Sequence, residues 1–143
     1  MGQVVRAAVR DPRLAVRNQA LEIVRGLPSK AWRAEVEAVY HWVVDNIRFV
    51  KDIRNIETVQ FPAQTLQYGQ GDCDDQAVLI ASLLEAIGHP TRFIAVGFRP
   101  GLFSHVLTQT KIGDKWVSLE TTELGAGIGW FPPKVTSVMI HHN

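Results

Sequence analysis

The chain has 143 residues, 46% of them hydrophobic, and a net charge of +1. Length and composition fit one globular domain of ordinary size with its own core and exclude a disordered chain. The near-neutral charge, with no basic stripe, excludes a nucleic-acid surface and a charge-held membrane surface.

In chain order, MGQVVRAAVRDPR is too charged, and too poor in apolar residues, to read as a signal peptide. No later apolar run approaches the ~20 residues that span a bilayer. The expected protein is therefore soluble and cytoplasmic. Residues 11–26 read as a first helix, with Asp11 as N-cap, Pro12 at the first helical position, and Gly26 and Pro28 as stops. Leu14, Leu21 and Val24 are its expected apolar side. Ser29 is the expected cap of a second helix reaching about Arg48, with Trp32, Val36, Val39, Val43 and Ile47 as its buried stripe. Residues 51–70 read as a long loop carrying a helical turn.

A third helix is predicted from Cys73 to Ile87, with Gly88 just past its end and Pro90 following. Ala77, Ile80, Leu84 and Ile87, widened by Leu79 and Leu83, make it the central helix. The period then changes to two. Strands are predicted over 91–98, 105–112 and 115–121, and an edge strand over 135–140. Helices followed by an antiparallel meander define an α+β domain.

Cys73 is the only cysteine, so the chain cannot form an internal disulfide, which fits a reducing compartment. It follows Gly71-Asp72 at a helix start, where unpaired N–H groups and the helix dipole favour a thiolate and can bind an oxyanion. Asp72 is the expected N-cap, with Asp75 closing a capping box. The neighbouring acids oppose ionisation of the thiol, so a histidine partner is required. Among five histidines, register selects one. Read as a two-residue turn, Gly113-Asp114 pairs Ile112 with Lys115, Leu107 with Glu120 and His105 with Thr122. His105 and Glu120 then share a face as diagonal neighbours, roughly 7–8 Å apart at the backbone. A three-residue turn would place Glu123 opposite His105 instead. His141 and His142 read as part of a tail.

A cysteine heading a helix, a histidine on one strand and an acid on the next form the layout of a Cys-His-acid triad. At GDCDDQAVLIASLLEAIGHPTRFIAV (71–96), SHVLTQT (104–110) and KWVSLETT (115–122) the sequence resembles the transglutaminase-like superfamily of papain-like cysteine enzymes. The resemblance spans roughly residues 32–123 of a single domain, and extends to small bacterial and phage-associated members. It implies Cys73 as nucleophile, His105 as base and Glu120 as the third member, where the family usually has Asp. The longer glutamate is expected to reach His105 Nδ1. It also implies an oxyanion donor upstream of the cysteine, for which FPAQTLQYGQ offers Gln64, Gln67, Tyr68 and Gln70, with Gln64 as the candidate.

The implied reaction is acyl transfer from an amide through a thioester, with a peptide or protein as substrate and no cofactor. Hydrolysis is favoured, because no added domain serves a second substrate. The alternatives are transfer to an amine, as in a transglutaminase, and a non-catalytic interaction module keeping the fold. A zinc site of Cys73, His105, Glu120 and Asp74 is a third reading, unsupported by paired ligand spacing. FRPG (98–101) reads as a flexible gate beside His105. Trp130 and Phe131 are candidates for a substrate groove.

Overall fold

Asp11 begins the described part of the chain by accepting from the Arg13 N–H at 2.9 Å, so that Pro12 enters a helix as its first residue. The computed structural model describes residues 11–51 and 60–143. Helix α1 runs Pro12–Val24 and α2 runs Trp32–Asn46. The strand β1 (Arg48–Phe49) is followed by α3 (Pro62–Tyr68), β2 (Gln70–Gly71) and α4 (Cys73–Ala86). Strands β3 (Thr91–Gly97), β4 (His105–Ile112), β5 (Lys115–Leu119) and β6 (Ser137–His142) follow. They form one antiparallel sheet in the order β5-β4-β3-β6, the α+β arrangement expected.

The helical turn expected within 51–70 is α3. The part of that loop over 52–59, like residues 1–10, lies outside the described residues. No helix among the described residues is long and apolar enough to cross a membrane.

Helix α4 is central. It packs against α1, α2, α3, β3 and β4. Leu79, Ile80, Leu83 and Leu84 are fully buried, and each such side chain contributes about 1.5–3 kcal/mol by leaving water. Val36, Val39 and Val43 of α2 complete this core with Leu119 of β5. The helix stops where expected, with the His89 N–H returning to Leu84 O at 2.9 Å across Gly88.

Three details of the helices differ from expectation. In α1 the buried residues are Val16, Gln19 and Ala20, whereas Leu14 and Leu21 face outward. Small residues at i and i+4 let α1 approach the core closely. The second helix is not capped by Ser29. Pro28–Ala31 form a turn, closed by Ala31 N–H to Pro28 O at 3.3 Å, with Lys30 at φ +64°. The helix therefore begins at Trp32, which is exposed and meets the His89 ring edge-on at 6.2 Å. His89 is itself buried, with Nε2 at 2.7 Å from Glu35 Oε1.

The edge strand is real, of the expected length but shifted two residues toward the C-terminus. His141 and His142 belong to β6, paired with Phe93 and Arg92 of β3. They are strand residues rather than a loose tail: His142 meets Trp116 edge-on at 6.0 Å, and the Arg92 guanidinium lies 4.3 Å from the same ring.

Candidate active site

The acids around the thiol build its platform. Asp72 Oδ1 accepts from the Asp75 N–H at 3.0 Å, and Asp75 Oδ2 accepts from the Asp72 N–H at 3.1 Å. This is the expected capping box. Asp75 is buried and also accepts from the Gln60 N–H at 2.7 Å, drawing the preceding segment onto the helix. Gly71 is required here, because a Cβ would come within 2.7 Å of Asp75 Cβ. Short parallel pairing of β1 with β2 holds the same segment from the other side, with Arg48 N–H to Gly69 O at 2.8 Å and Val50 N–H to Gly71 O at 3.1 Å. Burial pushes the Asp72 carboxyl up, helped by the Asp75 charge and opposed by the N–H groups it accepts, for a net rise.

On this platform Cys73 is the first residue of α4 and is half-buried. Its Sγ lies 3.8 Å from Asp74 Oδ1, and it is near enough to His105 to raise the imidazole's pKa. The hairpin has the two-residue turn, pairing Ile112 with Lys115 and Thr108 with Leu119. Continuing that register sets Glu120 against Leu107, and His105 Nε2 hydrogen-bonds to Glu120 Oε2. The expectation that glutamate reaches Nδ1 is therefore corrected. Glu120 takes Nε2, which leaves Nδ1 for a second partner.

Burial of the pair is unequal. The Glu120 side chain is 2% exposed and that of His105 is 20% exposed. Burial pulls the imidazole down, but its hydrogen bonds to Cys73 and Glu120, and their charges, outweigh this and push it up to about 10. Burial likewise raises Glu120, and the bond to His105 and its charge reverse the effect, leaving the carboxyl below its usual value. A buried carboxylate remains charged when each oxygen is satisfied. Oε1 accepts from the Thr122 N–H at 3.0 Å and from Thr122 Oγ1 at 2.8 Å. Tyr40 of α2 donates its hydroxyl to the Glu120 carbonyl at 2.7 Å.

Tyr40 was not singled out by sequence, since its spacing reads only as a second buried row on α2. Thr122 was visible as the register partner of His105, but not as the group that holds the acid. The capture is local: a carboxylate accepting from the residue two positions on is a recurrent turn pattern.

Other candidates fall elsewhere. Gln64 does not join the site. Its Oε1 accepts from the Phe61 N–H at 3.0 Å at the start of α3. It lines a cleft of 840 Å³ with Ser82 and Glu85, more than two turns along α4 from Cys73. Trp130 is half-buried and Phe131 exposed, beyond a segment fixed by Gly129 N–H to Ser118 O at 2.8 Å.

The segment 98–103 is a tight turn. Leu102 N–H donates to Arg99 O at 3.1 Å, and Gly101 N–H donates to Ser137 Oγ at 3.2 Å. It folds so closely over Gly97 that a Cβ there would lie 1.6 Å from Leu102 O. Gly97→Ala is therefore expected to destabilise the fold by about 3 kcal/mol, at the upper end of overpacking effects. Urea unfolding measures the shift, and an unchanged midpoint would contradict this packing.

Among the described residues no group of three His, Cys, Asp or Glu side chains converges as a metal-ligand set.

A central helix headed by cysteine, packed on an antiparallel sheet that carries histidine and acid, defines the class of papain-like cysteine folds. The family model of the transglutaminase-like superfamily matches residues 17–121, and the chain belongs to that superfamily. No curated protein sequence matches it. Solved structures share the fold. A proposed protease from Parabacteroides distasonis is 16% identical at a TM-score of 0.67, over 80% of this chain and 24% of its own. A proposed cysteine protease from Cytophaga hutchinsonii is 20% identical at a TM-score of 0.63, over 92% of this chain and 47% of its own. Calcium-bound LapG from Legionella pneumophila is 16% identical at a TM-score of 0.64, over 91% of this chain and 77% of its own. The chain thus spans less than half of the first two.

Proposed function

We propose that the protein is a cysteine peptidase or amidase that cleaves peptide or isopeptide amides through a thioester. The observation that carries this reading is His105 bonded to the buried Glu120 carboxylate, with the Cys73 thiol at the head of α4 acting on the same imidazole. Cys73 Sγ, its proton held by His105, attacks the amide carbon. The carbonyl electron pair moves to oxygen, giving a tetrahedral oxyanion. The Cys73 backbone N–H, at the first turn of α4 where no intrahelical acceptor exists, is suited to receive that charge. His105 then gives its proton to the departing nitrogen as the C–N bond breaks, leaving a thioester and a free amine. Water, deprotonated by the same imidazole, attacks the thioester and releases the acid and the thiol. Glu120 keeps the ring oriented and stabilises its charged form. Trp130 is assigned to the border of the substrate site, because its segment is held by Gly129 N–H to Ser118 O at 2.8 Å, two residues before Glu120.

A mixture-based library of blocked peptide amides tests the reading by mass spectrometry. Cleavage is expected with wild type and absent with Cys73→Ala. Products joined to an added amine in place of hydrolysis would convert the reading to a transamidase. Cleavage that persists in Cys73→Ala would refute it.

A further inference from the structure

A groove of 320 Å³ opens beside the candidate triad. Its lining includes Asp74, the residue after Cys73, and Val106, the residue after His105. Cys73 and His105 do not line it themselves; it starts one residue along from each, on the α4 side of the sheet. The strand register explains its floor. Val106, Ala95 and Met139 form one row across β4, β3 and β6, and Thr108, Phe93 and His141 form the next. Both rows lie on the face turned toward α4, as the bond from Thr108 Oγ1 to Ala77 O at 2.7 Å shows. Ala77 and Val78 of α4 supply the wall.

The lining is mostly apolar. Phe93, Val106 and Val78 stay partly accessible and Met139 is 56% exposed, although all four would be better buried. The volume lies at the low end of ligand sites, ~300–1,000 Å³, and suits one or two side chains rather than a cofactor.

We propose that this groove between α4 and the face of β4, β3 and β6 receives an apolar, leucine- or methionine-sized side chain of the substrate. That side chain lies on the acyl side, within one residue of the carbonyl attacked by Cys73. Met139 and Phe93 set the preference. The inference rests on the peptidase reading and adds a substrate class to it. It also gives β6 a role: the edge strand supplies a wall of the substrate site, so the last strand of the sheet selects what the first residue of α4 attacks.

The test uses the full chain and two series of chloromethyl ketones, N-acetyl-X-Gly and N-acetyl-Gly-X, with X as Gly, Leu, Met, Phe, Asp or Lys. The Cys73 thiolate displaces chloride to form a thioether, and mass spectrometry gives the labelling rate. In one series, Leu or Met is expected to label at least about tenfold faster than Gly, the scale of discrimination available to an apolar pocket. In Met139→Arg that ratio is expected to collapse toward one. In Met139→Ala the optimum is expected to move toward Phe. Each ratio is internal to one protein, and Met139 is an exposed edge-strand residue whose replacement leaves the core intact. A ratio near one in both wild-type series, or a ratio that both variants retain, overturns the groove assignment alone. A wild-type thiol that is inert even to iodoacetamide overturns the peptidase reading, and the groove assignment with it.

Discussion

Cys73 in the His105→Ala protein is expected to react with iodoacetamide about a hundredfold more slowly than in wild type near pH 6.5, where an ordinary thiol is only ~1% ionised. In wild type the proton has a better home. The His105 imidazole, bonded to Glu120, is pushed up to about 10. It stays cationic through neutral pH and sets a positive charge near the thiol. Removing the ring removes both the base and the positive charge. Iodoacetamide needs no substrate recognition, so the comparison isolates thiol activation from binding. The alanine variant also leaves Glu120 charged and buried without its cation, a change that costs about 3–5 kcal/mol when a buried pair is broken. His105→Gln keeps a donor for Glu120 and serves as the second variant. Slow alkylation in both, with folded circular-dichroism spectra, is the expected pattern. Equal rates in wild type and both variants would remove His105 from thiol activation.

Glu120→Gln is expected to lower kcat/KM by about 10²–10⁴, the range for disabling an acid–base pair by loss of its orienting acid. The amide keeps the shape but not the charge, so it no longer favours imidazolium. Glu120→Asp keeps the charge but shortens the reach, and cannot span both His105 and Thr122 as Glu120 does. An intermediate loss is expected there. The same charge governs stability against pH. The folded state binds the His105 proton more tightly than an unfolded chain, where histidine has its usual value of 6.5. That stabilisation is complete below pH 6.5 and is lost as pH rises through about 10. Glu120 acts in the opposite sense. Its carboxyl lies below the usual 4.5, so its contribution is present above 4.5 and lost as pH falls through the lowered value. The pair is therefore worth most between these two usual values. Urea unfolding is expected to show wild type losing stability between pH 7 and pH 10, with a shallower loss in Glu120→Gln. Identical slopes would deny the coupling.

Much of the site was legible because it rests on local rules. The capping box of Asp72 and Asp75 follows from spacing. The two-residue Gly113-Asp114 turn fixes the β4–β5 register, and with it Glu120 rather than Glu123 as the partner of His105. Strong periodicity made α4 central. What escaped depends on which of several apolar rows the tertiary packing selects. Leu14, Leu21 and Trp32 are larger than the neighbours that were buried, yet close helix approach favoured Val16 and Ala20. The role of Tyr40 could not be read from its own helix, because its partner lies across the fold. Gln64 fits an oxyanion donor by chemical type alone, and a glutamine near a helix start has a competing local use in capping. The ring nitrogen facing Glu120 is a matter of side-chain approach, which register leaves undetermined.

The Tyr40 hydroxyl bond to the Glu120 carbonyl joins residues separated by 80 positions. Closing a loop of that size carries an entropic cost of about 4 kcal/mol beyond a constant, so the bond cannot lead folding. Local helices and the β4–β5 hairpin form more readily, and the clasp closes only after α2 has docked beside the end of β5. Glu120 thus gains the support of Tyr40 only once these distant elements meet, and the histidine bonded to its side chain is fixed along with it.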